Sequence, residues 1–282
     1  MNDACTECGA EIPRHVDRCV GCGCDVGFPN VRMASRTPEI EALVRRYQKA
    51  KRNAAQRGIE QRVNELEATL ETSEAVMCKP WGILNTLLLR DSRLLQTFHQ
   101  EVAGEGRLPE SNEFDSARAG VDATFFPYYH EAIRFAALSI DGCGSTAYGG
   151  GCLVLKTMSI AARATVFEEN TLTFVKRRKH PAGYPPPPGL TATWTSRAKL
   201  GIAKLAPRVD KDTSVTDFAS LVLTQKGGTG DDDFLEVHIY GPIHRSAVAR
   251  VSGTLPKNPV DRLLVFQLQK DLKTAGVSVA LT

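Results

Sequence analysis

Four cysteines near the N-terminus fall as Cys5-x2-Cys8 and Cys19-x2-Cys22, and no other feature restricts the fold as much. Each pair places two thiols on one tight turn, and two such turns can bring four thiolates to the corners of a tetrahedron that suits Zn2+, with Zn–S bonds of about 2.3 Å. Gly9 follows the first turn, and Gly21 and Gly23 flank Cys22, where the backbone needs freedom. Four thiolates leave no open coordination position, so the expected role is structural. A thirty-residue segment with almost no large apolar side chains cannot fold by burial alone, and metal binding would supply its folding energy. Two alternatives stay open: Cys24 can replace Cys22, and His15 is close enough in sequence to compete.

The segment resembles the short zinc ribbons that begin many bacterial cytoplasmic proteins, modules that often only dock or stabilise. A chain of 282 residues has room for such an appendage beside one full domain. With 42% hydrophobic and 24% charged residues, wholesale disorder is excluded. No stretch reaches the roughly 18 consecutive apolar residues of a membrane span. The opening MNDACTECGAEI has neither a basic nor an apolar signal region, so the expected location is cytoplasmic, with no membrane partner. In that compartment the eight cysteines are expected to serve metal binding or burial rather than disulfides. Cys78, Cys143 and Cys152 therefore read as small buried hydrophobes, with Cys143 in its Gly-rich turn a candidate reactive thiol.

The net charge of +3 is too small to imply nucleic acid, but its distribution is uneven. Residues 1–30 hold five acids and two bases, whereas residues 31–62 hold nine bases and three acids. Thr37-Pro38-Glu39 reads as a helix start, and Ile40, Leu43, Val44, Tyr47 and Ala54 recur at helical spacing. Ile59, Val63, Leu66 and Leu70 continue the stripe past a break at Gly58. Arg45, Arg46, Lys49 and Arg52 lie on the polar side, where they are either a solvated face or a contact for nucleic-acid phosphates. Trp81 to Val102 reads as a core helix, and 104–123 as a loop or weak helix.

Further along, 125–140 is an apolar run in which helix and strand are hard to separate, followed by the Gly-rich loop 141–151 and the short strand 152–156. Residues 163–175 read as a hairpin turning near Glu169-Asn170. The basic cluster 176–180 precedes a stiff run from Pro185 to Pro188, and 194–206 reads as a helix capped by Thr195 or Ser196. Beyond a polar tip at 226–233, FLEVHIYG (234–241) reads as a strand, and Val260 to Ala275 as an amphipathic helix. Alternation along the strand puts Leu235, Val237 and Ile239 on one face and Phe234, Glu236, His238 and Tyr240 on the other. The second face carries a carboxylate, an imidazole and two aromatics, which suits a cleft. A metal site from Glu236, His238 and His244 lacks support for its third ligand.

The order of a Ser/Thr- and Gly-rich turn, YGGGCLVLK, RATVFEENTLTF, a long insertion and DDDFLEVHIYGPI resembles the core of bacterial mono-ADP-ribosyltransferases over roughly residues 125–250. Together with the zinc ribbon over 1–30 and the helical arm and helical segment over 31–123, the expected chain is α+β, and the resemblance implies that 124–282 is an ADP-ribosyltransferase-like domain with a split β-sandwich that holds NAD between its sheets. It implies Glu236 as the catalytic glutamate and Arg134, Ser145, Thr146, Tyr148 and His238 as the NAD-binding set, with His130 competing for the place of Arg134. It also implies a toxin or defence effector that modifies a protein or a nucleic acid, and raises an antitoxin as a further partner.

The chemistry suits these residue types. Cleaving the nicotinamide–ribose bond passes through an oxocarbenium-like state that a carboxylate stabilises more than the ground state. An arginine can grip the pyrophosphate, and an aromatic ring such as Tyr148 can stack on the nicotinamide. The competing expectations are a non-catalytic zinc-ribbon adaptor and a nucleic-acid-binding regulator. The insertion over 176–231 reads as a recognition loop or a lid.

Overall fold

The computed structural model describes residues 3–88, 113–226, 232–274 and 276–281. The cysteine turns come first. Strands β1 (Asp3–Ala4) and β2 (Glu11–Ile12) pair antiparallel around the first turn. Two equivalent knuckles follow from the same hydrogen bonds: Cys5 N to Ala10 O and Gly9 N to Cys5 O in one, Cys19 N to Cys24 O and Gly23 N to Cys19 O in the other. Gly9 and Gly23 both take left-handed φ values, +72° and +74°.

A short helix, Pro29–Ala34, ties this module to the rest of the chain. Asn30 is buried, and its amide donates to the carbonyls of Arg163 and His238. The expected helical arm then forms over Thr37–Gln56 and Glu60–Glu71, broken at Gly58. Leu43, Ala50 and Ala54 of the first helix and Val63, Leu66 and Leu70 of the second face inward, in register with a 3.6-residue period. Both helices pack on a third, Arg197–Leu205.

The chain is α+β, and these helices cover one face of a mixed eight-stranded sheet. Its strands are β3 (Glu74–Lys79), β4 (Ile133–Ser139), β5 (Gly151–Leu155), β6 (Ala164–Phe167), β7 (Thr191–Thr193), β10 (Glu236–Tyr240), β11 (Val248–Gly253) and β12 (Ser278–Leu281). A separate ribbon pairs β8 (Leu223–Thr224) with β9 (Asp233–Phe234). The order across the large sheet is β12-β11-β5-β3-β4-β10-β6-β7. Every neighbouring pair is antiparallel except β11 and β12. Strand β3 comes from the stretch read as helical, yet it lies between β5 and β4. Its residues Ala75 to Cys78 are buried on both faces, so the alternation that marks a half-exposed strand is absent.

One reading of local structure is corrected. Residues 163–175 are no hairpin: β6 ends at Phe167 and a helix runs over Thr171–Arg178. The β-branched Thr171, Thr173 and Val175 favour strand locally, but the Asn170 side chain accepts from the Leu172 and Thr173 amides and so caps a helix. Phe174 then buries completely against Phe167 and Phe125, each contact edge-on at 5.1 and 5.9 Å, and full burial of such a ring contributes about 1.5–3 kcal/mol. In 125–140, left open between helix and strand, the strand prevails: the Glu113–Phe125 helix ends at Phe125, and after a short 3-10 turn at His130–Ala132 the chain runs as β4.

The sheet cysteines overturn a further expectation. Cys78 and Cys152 are cross-strand partners on β3 and β5 and are joined by a disulfide. They lie far apart in sequence, so only the strand pairing brings them together. Cys143 is free and exposed. The terminal helix forms over Pro259–Thr274. The helix expected from Trp81 is present over Trp81–Leu88, and its expected continuation to Val102 lies outside the described residues, as does 104–112. Among the described residues no helix is long and apolar enough to cross a membrane.

Candidate functional site

The first site is the thiol cluster. Ligand atoms of Cys5, Cys19, Cys22 and Cys24 all lie within 4.8 Å of one another, close enough to bind a metal ion such as zinc. Cys5 Sγ is 3.7 Å from Cys22 Sγ and 3.4 Å from Cys24 Sγ, and Cys8 Sγ is 3.5 Å from Cys19 Sγ. These spacings fit a tetrahedron with bonds of about 2.3 Å, whose edges are about 3.8 Å. Cys5, Cys19 and Cys22 thus share one cluster, and Cys8 and Cys24 compete for the fourth place. Spacing along the chain sets Cys24 against Cys22, whereas the structure sets it against Cys8. The Gly21 amide donates to Cys19 Sγ at 3.3 Å, and the amides of Glu7 and Cys8 point at Cys5 Sγ in the equivalent way. His15 lies instead beside the Tyr128 ring, 5.6 Å between centroids.

The second site is centred on Glu236. In β10 it pairs with Ala137 of β4 and Phe167 of β6, so it sits mid-sheet on the face away from the helical arm. That face is no open cleft. The helices over Thr171–Arg178 and Glu113–Phe125 cover it, and Glu236 and His238 are 2% and 1% exposed. A buried carboxylate needs compensation, and Glu236 has it at both oxygens. Oε1 accepts from Asn170 Nδ2 at 2.8 Å and lies 3.8 Å from Arg118 Nη1. Oε2 accepts from the Thr171 amide at 3.0 Å and lies 3.0 Å from His238 Nε2. Burial pushes the carboxyl upward in pKa, but the Arg118 charge and the His238 hydrogen bond outweigh it and hold the group below the usual carboxylate range.

Arg118 stacks 3.9 Å from the Phe135 ring centroid and pairs with the fully buried Asp122, one helical turn on. Its Nη2 is buried without a hydrogen-bond partner among the described residues. The His238 ring is enclosed by Phe126, Phe135 and Phe167 at 4.8, 5.5 and 6.2 Å.

The Gly-rich turn reaches this centre through Tyr148. Its hydroxyl accepts from Asn170 Nδ2 at 3.3 Å, so one amide group touches both Tyr148 and Glu236. The ring is 44% exposed, yet its hydroxyl end turns inward, where burial and the Glu236 charge push the phenol up to about 12. Ser145 is buried and donates to Asp232, and Thr146 donates to Gln225 at 2.6 Å. The turn is fixed by close approach. Gly149 has φ +135°, and any Cβ there would run into the Lys79 backbone.

The structure therefore gathers Glu236, His238 and Tyr148, with Ser145 and Thr146 in the same turn as Tyr148. It does not bring Arg134 to them. Arg134 pairs in register with Ile239, which puts it on the opposite face of the sheet, where it donates to Ala132 O and where burial and Arg163 lower its pKa to about 10. Reading the sequence does not single out Arg118, Asp122 or Asn170. Asn170 carries a signal, an Asx residue before a run able to form a helix. Arg118 and Asp122 carry only an i,i+4 charge pair in a stretch that reads as loop or weak helix.

Of the basic residues on the arm, Arg46 is engaged by Glu168 and by Gly189 O. Arg45 pairs with Glu41, and Lys49 and Arg52 are polar-face residues of the same helix. No protein-family model matches the chain, and comparison with curated proteins gives no match.

Proposed function

We propose that the chain is an NAD-dependent mono-ADP-ribosyltransferase whose N-terminal cysteines hold a structural zinc ion. The observation that supports this reading is the Tyr148–Asn170–Glu236 relay, which joins an exposed aromatic ring to a carboxylate kept ionised in a buried setting. In this reading Glu236 faces the positive charge that develops on the ribose as nicotinamide leaves. Asn170 and the Thr171 amide orient the carboxylate, and His238 fixes its second oxygen. Tyr148, the exposed member of the relay, stacks on the nicotinamide. Arg118 takes the anion-holding role that the resemblance gives to Arg134, since its Nη2 is a buried donor with no partner among the described residues. The chemistry needs no open metal position, so a closed thiolate site is compatible with it.

A second reading, a zinc-module adaptor without catalysis, is favoured by one observation: Glu236 is almost inaccessible and both its oxygens are satisfied. Nicotinamide release from NAD by the purified protein, beside Glu236→Gln and Arg118→Gln, separates the two. Release that Glu236→Gln abolishes supports the enzyme. Absence of both release and NAD binding leaves the adaptor.

A further inference from the structure

The basic residues of the arm and the basic cluster after residue 175 are remote in sequence, but they meet in the fold. Glu168 is the junction: one of its carboxylate oxygens holds Arg46 of the arm and the other holds Arg178, at 3.1 Å, at the end of the Thr171–Arg178 helix. Glu169 next to it holds Arg177 at 2.6 Å. Both glutamates are buried, so they anchor the guanidinium groups from below while Arg177 and Arg178 stay 59% and 42% exposed at the side chain. Lys49 follows Arg46 one turn on, Arg45 and Arg52 continue the polar side of the same helix beside Lys49, and Lys179 follows the two arginines. Glu168, Glu169 and Glu41 pair with Arg46, Arg178, Arg177 and Arg45, and Lys49, Arg52 and Lys179 add further positive charge, so the composite face is positive even with Glu39 at Gly189 counted.

The connection between the two halves adds an aromatic element. His180 contacts Tyr184 O at 2.9 Å, and the Tyr184 ring is 65% exposed beside the Pro-rich run. The same loop is pinned to the arm at Gly189, whose amide donates to Glu39 and whose carbonyl accepts from Arg46. Cations on a rigid framework with an exposed ring among them match a phosphodiester backbone with a base free to stack. We infer that this composite face, Arg45, Arg46, Lys49, Arg177, Lys179 and Tyr184, binds single-stranded nucleic acid. Phosphates lie along the two basic helices, and a base stacks on Tyr184. The inference concerns binding alone and does not rest on NAD cleavage.

The test is fluorescence anisotropy of the intact protein with a labelled single-stranded RNA, the matching DNA strand and a duplex, titrated over a range of salt concentrations without NAD. Binding to a single strand should weaken with salt, and Lys49→Gln, Arg177→Gln and Lys179→Gln combined should lower the log–log slope by about 0.7 for each phosphate no longer neutralised. Tyr184→Ala should weaken single-strand binding several-fold with the slope unchanged and leave duplex binding alone. Binding of either strand supports the inference, and the tighter of the two names the preferred sugar. Lys270→Gln with Lys273→Gln, on the Pro259–Thr274 helix, serves as control. The inference is overturned by absence of salt-dependent binding, by a control that weakens binding as much as the triple variant, or by a duplex bound more tightly than either strand.

Discussion

The Asn170 side chain does two jobs at once: its Nδ2 donates to Glu236 Oε1 at 2.8 Å while its Oδ1 caps the Thr171–Arg178 helix through the Leu172 and Thr173 amides. The candidate carboxylate and the start of the helix that covers it are thereby one hydrogen-bonded unit. Replacing Asn170 with Ala removes the cap and leaves Glu236 short of a donor. The expected cost is about 2–4 kcal/mol, from the missing cap and a buried acceptor left wanting. Urea unfolding of Asn170→Ala measures it; a loss below about 0.5 kcal/mol would show that these hydrogen bonds are not made.

Glu236→Gln tests the site itself. The replacement keeps the shape but turns one oxygen into a donor facing either Asn170 Nδ2 or the Thr171 amide. A stability loss of about 1–3 kcal/mol is expected with the fold retained. Nicotinamide release should fall by at least about a hundredfold, the scale on which removing one electrostatic stabiliser acts.

The pH response follows from the direction of the shift at Glu236. Its folded-state pKa lies below the unfolded value of 4.5. The stability it contributes is therefore fully present above the unfolded value and is lost as pH falls through the folded one. In thermal melts the penalty of Glu236→Gln should be smaller at about pH 3 than at about pH 7. An equal penalty at both pH values would contradict an ionised Glu236.

Metal content separates the thiols. In protein supplied with zinc, Cys5→Ser and Cys19→Ser should each fail to retain the ion that the unaltered chain holds, measured by mass spectrometry of the intact protein. One of Cys8→Ser and Cys24→Ser should lose it and the other keep it, which identifies the fourth ligand. Chelation should unfold the segment 3–26 and leave the eight-stranded sheet in place, seen by hydrogen exchange.

The Cys78–Cys152 disulfide joins residues 74 apart in sequence, and its reduction should destabilise the fold by about 2–4 kcal/mol. Gly144, in the turn that carries Ser145 and Tyr148, packs so closely on the Cys78 sulfur that a Cβ there would collide with it. Alkylation before and after reductant, read by peptide mass, should label Cys143 first and Cys78 and Cys152 only after reduction. Labelling of all three without reductant would show the bond is not formed in solution.

Much of this protein is legible in local pattern. The Cys-x2-Cys pairs point to the clustered thiols at the N-terminal end, because two thiols on one turn are a matter of a few consecutive residues. The helical period of Leu43, Ala54, Val63, Leu66 and Leu70 and the alternation in β10 likewise depend only on neighbours along the chain. The arrangement around Glu236 is decided elsewhere. Which face Arg134 takes depends on how β4 pairs with β10 and in which register, since a shift of one residue turns a side chain to the other face, and Arg118 reaches the carboxylate only because the Glu113–Phe125 helix packs over that face. The disulfide between Cys78 and Cys152, the junction of Arg46 and Arg178 on Glu168, and the buried rather than open setting of Glu236 all join residues far apart in sequence. Such contacts form only once the sheet order is set by long-range burial, and no local propensity encodes them.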